Sequence, residues 1–319
     1  MHQGYAVQVA NQYTYRLLPA FIIHLPVTDL ALQIINILAP SMLLAGIGLV
    51  WFHKGPDFPV AFVSTLVLNV SVPALLFHTM ANSLVPLATL GAIAAGTVLV
   101  HAVSITVAFT LLKLTGKDIR LCIAMVVGNT GNLGLPVCYF AFGDQGLAYA
   151  MAFFAVQCLL LFSFGDAVHA GVISFGRVLR SPVLHAIWLG LLVGTLNVPV
   201  PAAIMASAQL LGQIVIPIML ITLGVSLAGM RAAQLPSVLA WSLIRTALAL
   251  CVGFGVAEFL GLQGVARAVL IIQSVVPVAV FNYLLTLKHG HDAAEVSGLI
   301  LVTHIGAILY LPVLLSFLL

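Results

Sequence analysis

The sequence GNTGNLGLP at residues 128–136 lies in the middle of a long apolar run and decides the fold. It contains three glycines, two asparagines and one proline within nine residues. Glycine and proline both disfavour a helix interior, so a continuous helix through this stretch would lose several kcal/mol. We therefore predict a helix that is broken in its middle.

The composition of the whole chain places this broken helix in a membrane. Of 319 residues, 62% are hydrophobic and 6% are charged, with 11 Lys and Arg and 8 Asp and Glu. A soluble domain carries about 25% charged residues, and the mean hydropathy here is +1.22. These values exclude a soluble enzyme, a disordered regulator and a nucleic-acid-binding protein. The fold class is an all-α polytopic membrane protein, for which we expect no cofactor and no metal, since the four cysteines lie in apolar runs without metal-type spacing.

Ten stretches are long and apolar enough to cross a bilayer, which takes about 20 residues. Residues 1–33 are too polar and proline-rich for a span and form a predicted lead-in. We expect a first five-helix unit at 34–166, a cytoplasmic connection at 167–182 and a second unit at 183–319. The predicted spans, numbered one to ten, are 34–53, 59–81, 86–112, 120–142, 147–166, 183–200, 203–230, 235–260, 264–287 and 296–318.

The basic residues predict the orientation of the chain. Connections after odd-numbered spans hold eight of them, whereas Arg267 alone lies near an even-numbered connection. Cytoplasmic loops carry the excess of Lys and Arg, so we predict a cell-membrane protein with both termini outside the cytoplasm, and we expect that membrane to be a bacterial inner membrane. The eight are Lys54, Lys113, Lys117, Arg120, Arg177, Arg180, Arg231 and Lys288.

A spacing between prolines indicates an internal repeat. Pro73 and Pro217 lie 144 residues apart in spans two and seven, and Pro136 and Pro277 lie 141 residues apart in spans four and nine. A repeated unit of five helices must run inverted in its second copy, and inverted repeats are common in secondary transporters. The alternative is a chance spacing, because proline is frequent in membrane helices.

Span nine is predicted to be the counterpart of span four. It reads QSVVP at residues 273–277, with Asn282 about one turn later. Because it lacks glycine, we expect a smaller break than in span four. Two broken helices at matching places would cross at the midplane of the bilayer, where such architectures bind substrate. Ser274, Pro277 and Asn282 are therefore candidate site residues beside Asn129, Thr130, Asn132 and Pro136, unless the prolines only shape helix packing.

The stretch GNTGNLGLPVCYFAFGDQGLAYA at 128–150 resembles the signature of the auxin efflux carrier family. That family groups plant PIN-type auxin carriers with bacterial malonate and malate permeases, and it is distantly similar to bile-acid sodium symporters. The resemblance continues in NVSVPALLF at 69–77, in VVPVAVFNYLL at 275–285 and in the last span. It covers about residues 34–319.

The resemblance implies ten helices in a five-plus-five inverted repeat, with helices four and nine crossing in a movable domain. It implies a scaffold of helices one, two, six and seven that forms a homodimer, and elevator-type transport of organic anions. The family's crossover asparagine corresponds to Asn129 or Asn132, and its crossover prolines to Pro136 and Pro277. One departure is the last helix, where Thr303-His304-Ile305-Gly306 replaces a common Thr-Leu-Leu-Ser.

Other polar residues within the spans have two readings each. Asn69, Ser71 and Gln157 either line the substrate cavity or satisfy nearby backbone and helix contacts. His101, Arg245 and His304 either relay charge or protons, or are satisfied packing residues.

The expected function is secondary transport of small carboxylates across the lipid bilayer, with the half-helix N-termini and crossover amides attracting the anion. No carboxylate lies beside either break in the sequence, so we expect coupling to protons or no coupling rather than a sodium site built on Asp or Glu. A channel or membrane sensor is the alternative on the same fold. An intramembrane aspartyl protease using Asp144 and Asp166 is a weaker alternative, because the Gly-x-Gly-Asp pattern is absent and the two residues lie at predicted opposite ends of a span.

Overall fold

The computed structural model describes residues 27–82, 85–161, 180–231 and 234–319, together with residues 164 and 168. Most of the predicted lead-in, Asp166 and most of the predicted 167–182 connection lie outside these residues. The helices, numbered here in chain order, are α1 (Val27–Lys54), α2 (Val60–Ala81), α3 (Leu87–Leu114), α4 (Leu121–Val126), α5 (Leu135–Leu160), α6 (Pro182–Leu196), α7 (Ala202–Ala228), α8 (Leu235–Phe259), α9 (Gly264–Val275), α10 (Phe281–Lys288) and α11 (Ala294–Leu318).

The described part of the chain is helical and apolar, as the composition predicts. Six of its helices (α1, α2, α3, α7, α8 and α11) are long and apolar enough to cross a membrane. Large apolar side chains such as Leu43, Trp188 and Phe317 are 66–78% exposed on their outer faces. Because a soluble surface rarely shows so many exposed apolar side chains together, these faces suit contact with lipid.

Both predicted breaks are present. The helix in span four stops at Val126, and a single π-helical turn at Thr130–Gly134 leads into α5. α5 then changes direction at Gly143, whose φ of 61° is a conformation that glycine adopts without strain. The part of α5 before Gly143 therefore completes predicted span four, and the part after it forms predicted span five.

The interruption of the α-helix is smaller in span nine, as expected: it takes five residues, against eight (127–134, including the π-helical turn) in span four. α9 ends at Val275 and α10 begins at Phe281, so residues 276–280 are all outside regular helix. Val276 is extended (φ −47°, ψ 147°), as the residue before a proline usually is. The proline thus sets this break without any glycine, and the extended segment is held by contacts with the other break.

Irregularities also precede the other two paired prolines. α2 contains a π-helical turn at Val67–Ser71, just before Pro73. α7 is interrupted at Ile214, three residues before Pro217. Proline has no N–H group and its ring clashes with the carbonyl four residues earlier, which accounts for a disturbed turn at both places.

The helices pack in two groups. The scaffold group consists of α1, α2, α6 and α7, in which α1 packs along the second half of α7, and α6 and the first half of α7 pack on α2. The second group contains both breaks and is called the crossing group; it consists of α3 to α5 and α8 to α11, with α9 packed between α5 and α8. Fewer contacts join the groups, mainly through α1, α2 and α7 against α5 and its preceding turn.

Glycines let α1 and α7 approach each other closely. A Cβ atom on Gly48 would overlap the backbone carbonyl of Ile221, and one on Gly224 would overlap that of Ala45. A Cβ atom added to Gly46, two residues before Gly48, would have no neighbour within 4 Å. Small residues allow this kind of backbone contact between membrane helices.

We therefore expect Gly48→Ala to destabilise the protein by about 1–3 kcal/mol, the usual effect of overpacking a close contact. Gly46→Ala, the control on the same helix, should leave stability unchanged or slightly higher, since alanine favours helix. Thermal unfolding of the purified protein in detergent measures both. Equal melting temperatures for the two variants would contradict the close contact.

The ends of three helices meet at one side of the molecule. Lys117, after α3, lies with its Nζ atom 2.6 Å from Glu295 Oε1 and 3.0 Å from Ser237 Oγ. Ser237 is in the first turn of α8 and Glu295 is in the first turn of α11. The sequence predicts all three of these ends on the cytoplasmic side, and the structure brings them together on one side.

Candidate functional site

The two breaks lie against each other and pair through their backbones. The N–H of Asn129 donates to the carbonyl of Pro277 at 2.6 Å, and the N–H of Ala279 donates to the carbonyl of Val127 at 3.1 Å. Gly128 and Val278 form an antiparallel β-bridge between them. We call residues 127–129 and 275–279 the crossing. Polar backbone outside a helix must find partners within a membrane protein, and here each break supplies partners to the other.

Side chains satisfy further backbone groups of the crossing. Asn282 Nδ2 donates to the carbonyl of Val127 at 3.1 Å. Gln157 Nε2 donates to the carbonyl of Gly128 at 2.8 Å and to Thr130 Oγ1 at 2.6 Å. The N–H of Val278 donates to Thr303 Oγ1 at 3.1 Å. The crossing is therefore fixed by polar side chains from α5, α10 and α11.

Asn129 links the crossing to the last helix. Its Oδ1 atom accepts the N–H of Asn132 at 3.3 Å, and its Nδ2 atom lies 3.0 Å from His304 Nε2. The Nδ1 atom of His304 lies 2.7 Å from the carbonyl of Ile300, so Nδ1 carries the proton and Nε2 accepts from Asn129. Neutral His304 is fully satisfied in this arrangement, which makes it a positioning group for Asn129.

A cavity of about 100 Å³ lies beside the crossing, between the scaffold group and the crossing group. Residues 127–132 of the first break form one wall, and the start of α10 forms another. α2, α5 and α7 complete it. Among the described residues, its polar lining side chains are all neutral: Ser64, Asn129, Thr130, Asn132, Gln157, Thr222 and Ser226.

The N-terminal ends of two helices reach this cavity. Thr130, Gly131 and Asn132 start the turn that leads into α5, and Phe281 starts α10. The N-terminus of a helix carries a partial positive charge and exposed N–H groups, which together favour an anion. An apolar cavity with neutral amides and two such ends can bind a small negative group without a buried Lys or Arg in its lining.

Several predicted site residues lie away from this cavity. Asn69 is exposed on the outer side of α2 and donates to the carbonyl of Thr65. Ser71 is fully buried but does not line the cavity, and neither does Pro136. Pro277 contributes its carbonyl to the crossing. The structure therefore does not place Asn69 or Ser71 on the cavity wall.

A second, much smaller space of about 10 Å³ lies behind the crossing. His101, Ser274 and Gln157 line it. His101 Nδ1 contacts the carbonyl of Thr97 at 2.7 Å, and its Nε2 atom lies 3.4 Å from Gln157 Oε1. Gln157 therefore lines both spaces and connects His101 to the crossing.

The sequence analysis did not predict the cavity residues Ser64, Thr222 and Ser226. It also did not predict contacts of Thr303 and Tyr310 with the crossing, where Thr303 accepts from the Val278 N–H and Tyr310 donates to the Val275 carbonyl. Hydroxyl residues are common in membrane helices, where they bond to the carbonyl of an earlier residue, as Thr222 does to Ile218 at 2.7 Å. Only the predicted repeat offers a signal: it pairs span two with span seven, and both α2 and α7 contribute hydroxyl groups to the cavity.

The chain is similar to known membrane transport proteins. Residues 56–168 and 171–315 match the family described as membrane transport protein. The chain belongs to this family. It is the auxin efflux carrier family that the residues at 128–150 resemble. An uncharacterized transporter of Methanothermobacter thermautotrophicus is 25% identical over 262 residues, which cover 78% of this chain and 86% of that protein.

A second relative gives a similar result. An uncharacterized transporter of Methanocaldococcus jannaschii is 25% identical over 202 residues, or 57% of this chain and 63% of that protein. The family is one of membrane transporters.

Asp144, one of the two residues of the protease alternative, is exposed beside Gly143, and Asp166 lies outside the described residues.

Proposed function

We propose that this member of the membrane transport protein family is a secondary transporter of small organic anions, such as malonate, malate or auxin-like acids. The observation that carries the proposal is the neutral cavity beside the crossing, which two helix N-termini reach. Its volume of about 100 Å³ is below the roughly 300–1,000 Å³ of sites for drug-sized ligands. This size favours the smaller acids.

In this proposal Asn132, Thr130 and the start of α10 contact the carboxylate. Asn132 is half-buried on the cavity wall, and its side-chain amide can donate to a carboxylate oxygen. Asn129, Gln157 and Asn282 position the crossing, with Pro136 and Pro277 shaping the two helix starts. Ser274 and His101 lie behind it, and His101 with His304 are candidates for proton movement if transport is proton-coupled.

The proposed architecture is ten spans in a five-plus-five inverted repeat, with the crossing at the middle of the bilayer and both termini outside the cytoplasm. The paired irregularities at Pro73 and Pro217 support the repeat. His101 and Arg245, 144 residues apart, are both buried in the middle of long helices, which gives the repeat a third pair.

The proposed mechanism is elevator-type alternating access, either proton-coupled or uncoupled. The crossing group would carry substrate past a static scaffold group, whose outer helices would form a homodimer. Support comes from the position of the cavity between two separately packed groups of helices. A boundary between groups is where a sliding movement exposes a site to one side and then the other.

Uptake into proteoliposomes tests the function. We expect saturable uptake of at least one of labelled malonate, malate, pyruvate and indole acetate, with stimulation by the same acid on the far side. Proton and sodium gradients applied separately identify coupling. Uptake that rises linearly with concentration and shows no such stimulation would indicate a channel, and absence of any flux or binding would contradict transport.

Asn132→Ala is expected to reduce this uptake by about tenfold or more, because it removes a donor worth about 1.5–3 kcal/mol to a charged group. The thermal stability should stay near that of the original protein, since the amide side chain is half-buried at the cavity wall. Asn82→Ala, at the exposed end of α2, is the control. Undiminished uptake in the Asn132 variant would remove this residue from the site.

A further inference from the structure

Arg245 is a charged side chain at the centre of the protein. It lies in the middle of α8 and is 0% exposed, which makes it the largest fully buried side chain of the described residues. Its Nη1 atom donates to the carbonyl of Val275 at 3.1 Å, whereas Nε and Nη2 have no hydrogen-bond partner in the described part of the chain. None of the ion pairs formed within the described ranges includes it. A lone charge at this depth is costly and calls for a specific function.

The guanidinium group lies against both breaks. Val275 is the last residue of α9, and its carbonyl also accepts the hydroxyl of Tyr310 at 2.8 Å. A Cβ atom on Gly128 would lie 3.1 Å from Arg245 Nη2 and 3.1 Å from the carbonyl oxygen of Val276. The absence of a side chain at Gly128 therefore lets the guanidinium approach the crossing.

The helix end on the Arg245 side of the crossing carries a partial charge of opposite sign to that of the helix ends at the cavity. The C-terminal end of α9, at Val275, lies here. The last carbonyls of a helix lack intrahelical partners and carry partial negative charge. Arg245 does not line the cavity, which receives the N-terminal ends instead. The crossing thus has an anion-attracting side and a cation-attracting side.

In transporters built from discontinuous helices, unwound carbonyls and half-helix C-termini bind the coupling cation. Here a guanidinium group bound to the chain occupies such a position. We propose that Arg245 is a built-in cation that takes the place of a dissolved coupling cation at the carbonyl side of the crossing. Transport by this chain then requires no sodium, and the crossing is stable without added salt.

The stability of the full-length protein tests the built-in cation directly. Arg245→Ala removes the cation and leaves a space of guanidinium shape beside Val275. We expect its melting temperature to fall by several degrees, and about 10 mM methylguanidinium chloride to restore part of this loss. The same concentration should leave the original protein unchanged. Arg267→Ala, which removes an arginine from a partly exposed ion pair with Glu258, is the matched control and should show no rescue.

Two further variants keep the test decisive if Arg245→Ala does not fold. Arg245→Lys keeps a cation and should retain most of the stability, whereas Arg245→Met keeps the length of the side chain without the charge and should lose it. A melting temperature of Arg245→Met equal to that of the original protein would overturn the proposal. So would methylguanidinium rescue of the Arg267 control to the same extent.

The consequence for coupling rests on the proposed transport function and has its own readout. Uptake of the carboxylate into proteoliposomes should be equal in sodium and choline buffers, and sodium should not raise the melting temperature of the original protein. Stimulation of uptake by sodium would overturn the proposal. If no carboxylate is taken up, the transport proposal fails, while the rescue of Arg245→Ala by methylguanidinium still decides whether the cation site exists.

Discussion

Asn132→Asp is expected to reduce carboxylate uptake by more than about a hundredfold. The substitution keeps the size of the side chain and places a negative charge on the wall of the cavity. Two like charges about 4 Å apart repel by about 4 kcal/mol at an effective dielectric constant of 20. The bound anion and the new carboxylate would compete for the same helix N-termini, so uptake should fall further than in Asn132→Ala.

This variant should nevertheless fold. A carboxylate near a helix N-terminus is stabilising by about 0.3–1 kcal/mol, so its melting temperature should equal or exceed that of the original protein. Gln145→Glu is the control, since it makes the same change of amide to carboxylate at an exposed position of α5 outside the cavity. Uptake retained at the level of this control would contradict an anion site at Asn132.

Gln157→Leu is expected to lose both uptake and stability. Gln157 is 5% exposed and donates to the Gly128 carbonyl and to Thr130. A leucine leaves the carbonyl buried without this donor, and each such loss costs about 1–3 kcal/mol. The crossing would then lose its fixed geometry, and we expect at least a tenfold decrease in uptake, because about 1.4 kcal/mol corresponds to that factor.

The control for this variant is Gln145→Leu, which makes the same substitution of glutamine by leucine at an exposed position of α5. Thermal unfolding and initial uptake rates measure both variants. A Gln157→Leu protein with unchanged stability would show that the backbone at Gly128 is satisfied in another way. Unchanged uptake would show that the crossing does not need this contact.

The broken helix of span four could be predicted because its cause is local. Three glycines and Pro136 disfavour helix whatever surrounds them. The conformation and partners of the break in span nine could not be predicted in the same way. The extended form of Val276 follows from Pro277, but the segment after it is held by Asn129, Val127 and Thr303, which are distant in sequence.

The face of a helix was harder to predict than its existence. The π-helical turn at Val67–Ser71 adds residues to one turn of α2 and rotates the helix relative to a regular one. Asn69 lies within this turn and is exposed, whereas Ser64 before it lines the cavity. A regular helix already places Asn69 about 140° from Ser64 around the axis, so the part that could not be predicted is which face of α2 meets the cavity. Arg245 illustrates the converse, since its depth in α8 could be predicted but its partner, the carbonyl of Val275, could not.

The central claim is that the two breaks meet to form an anion site, and the position of a bound carboxylate tests it most directly. Crystals of the protein with a brominated analogue of a transported acid would reveal the bromine by anomalous scattering. We expect a peak in the cavity between Asn132 and the start of α10, and loss of that peak in Asn132→Asp. A peak only outside the cavity, with the cavity unoccupied at saturating acid, would contradict the account.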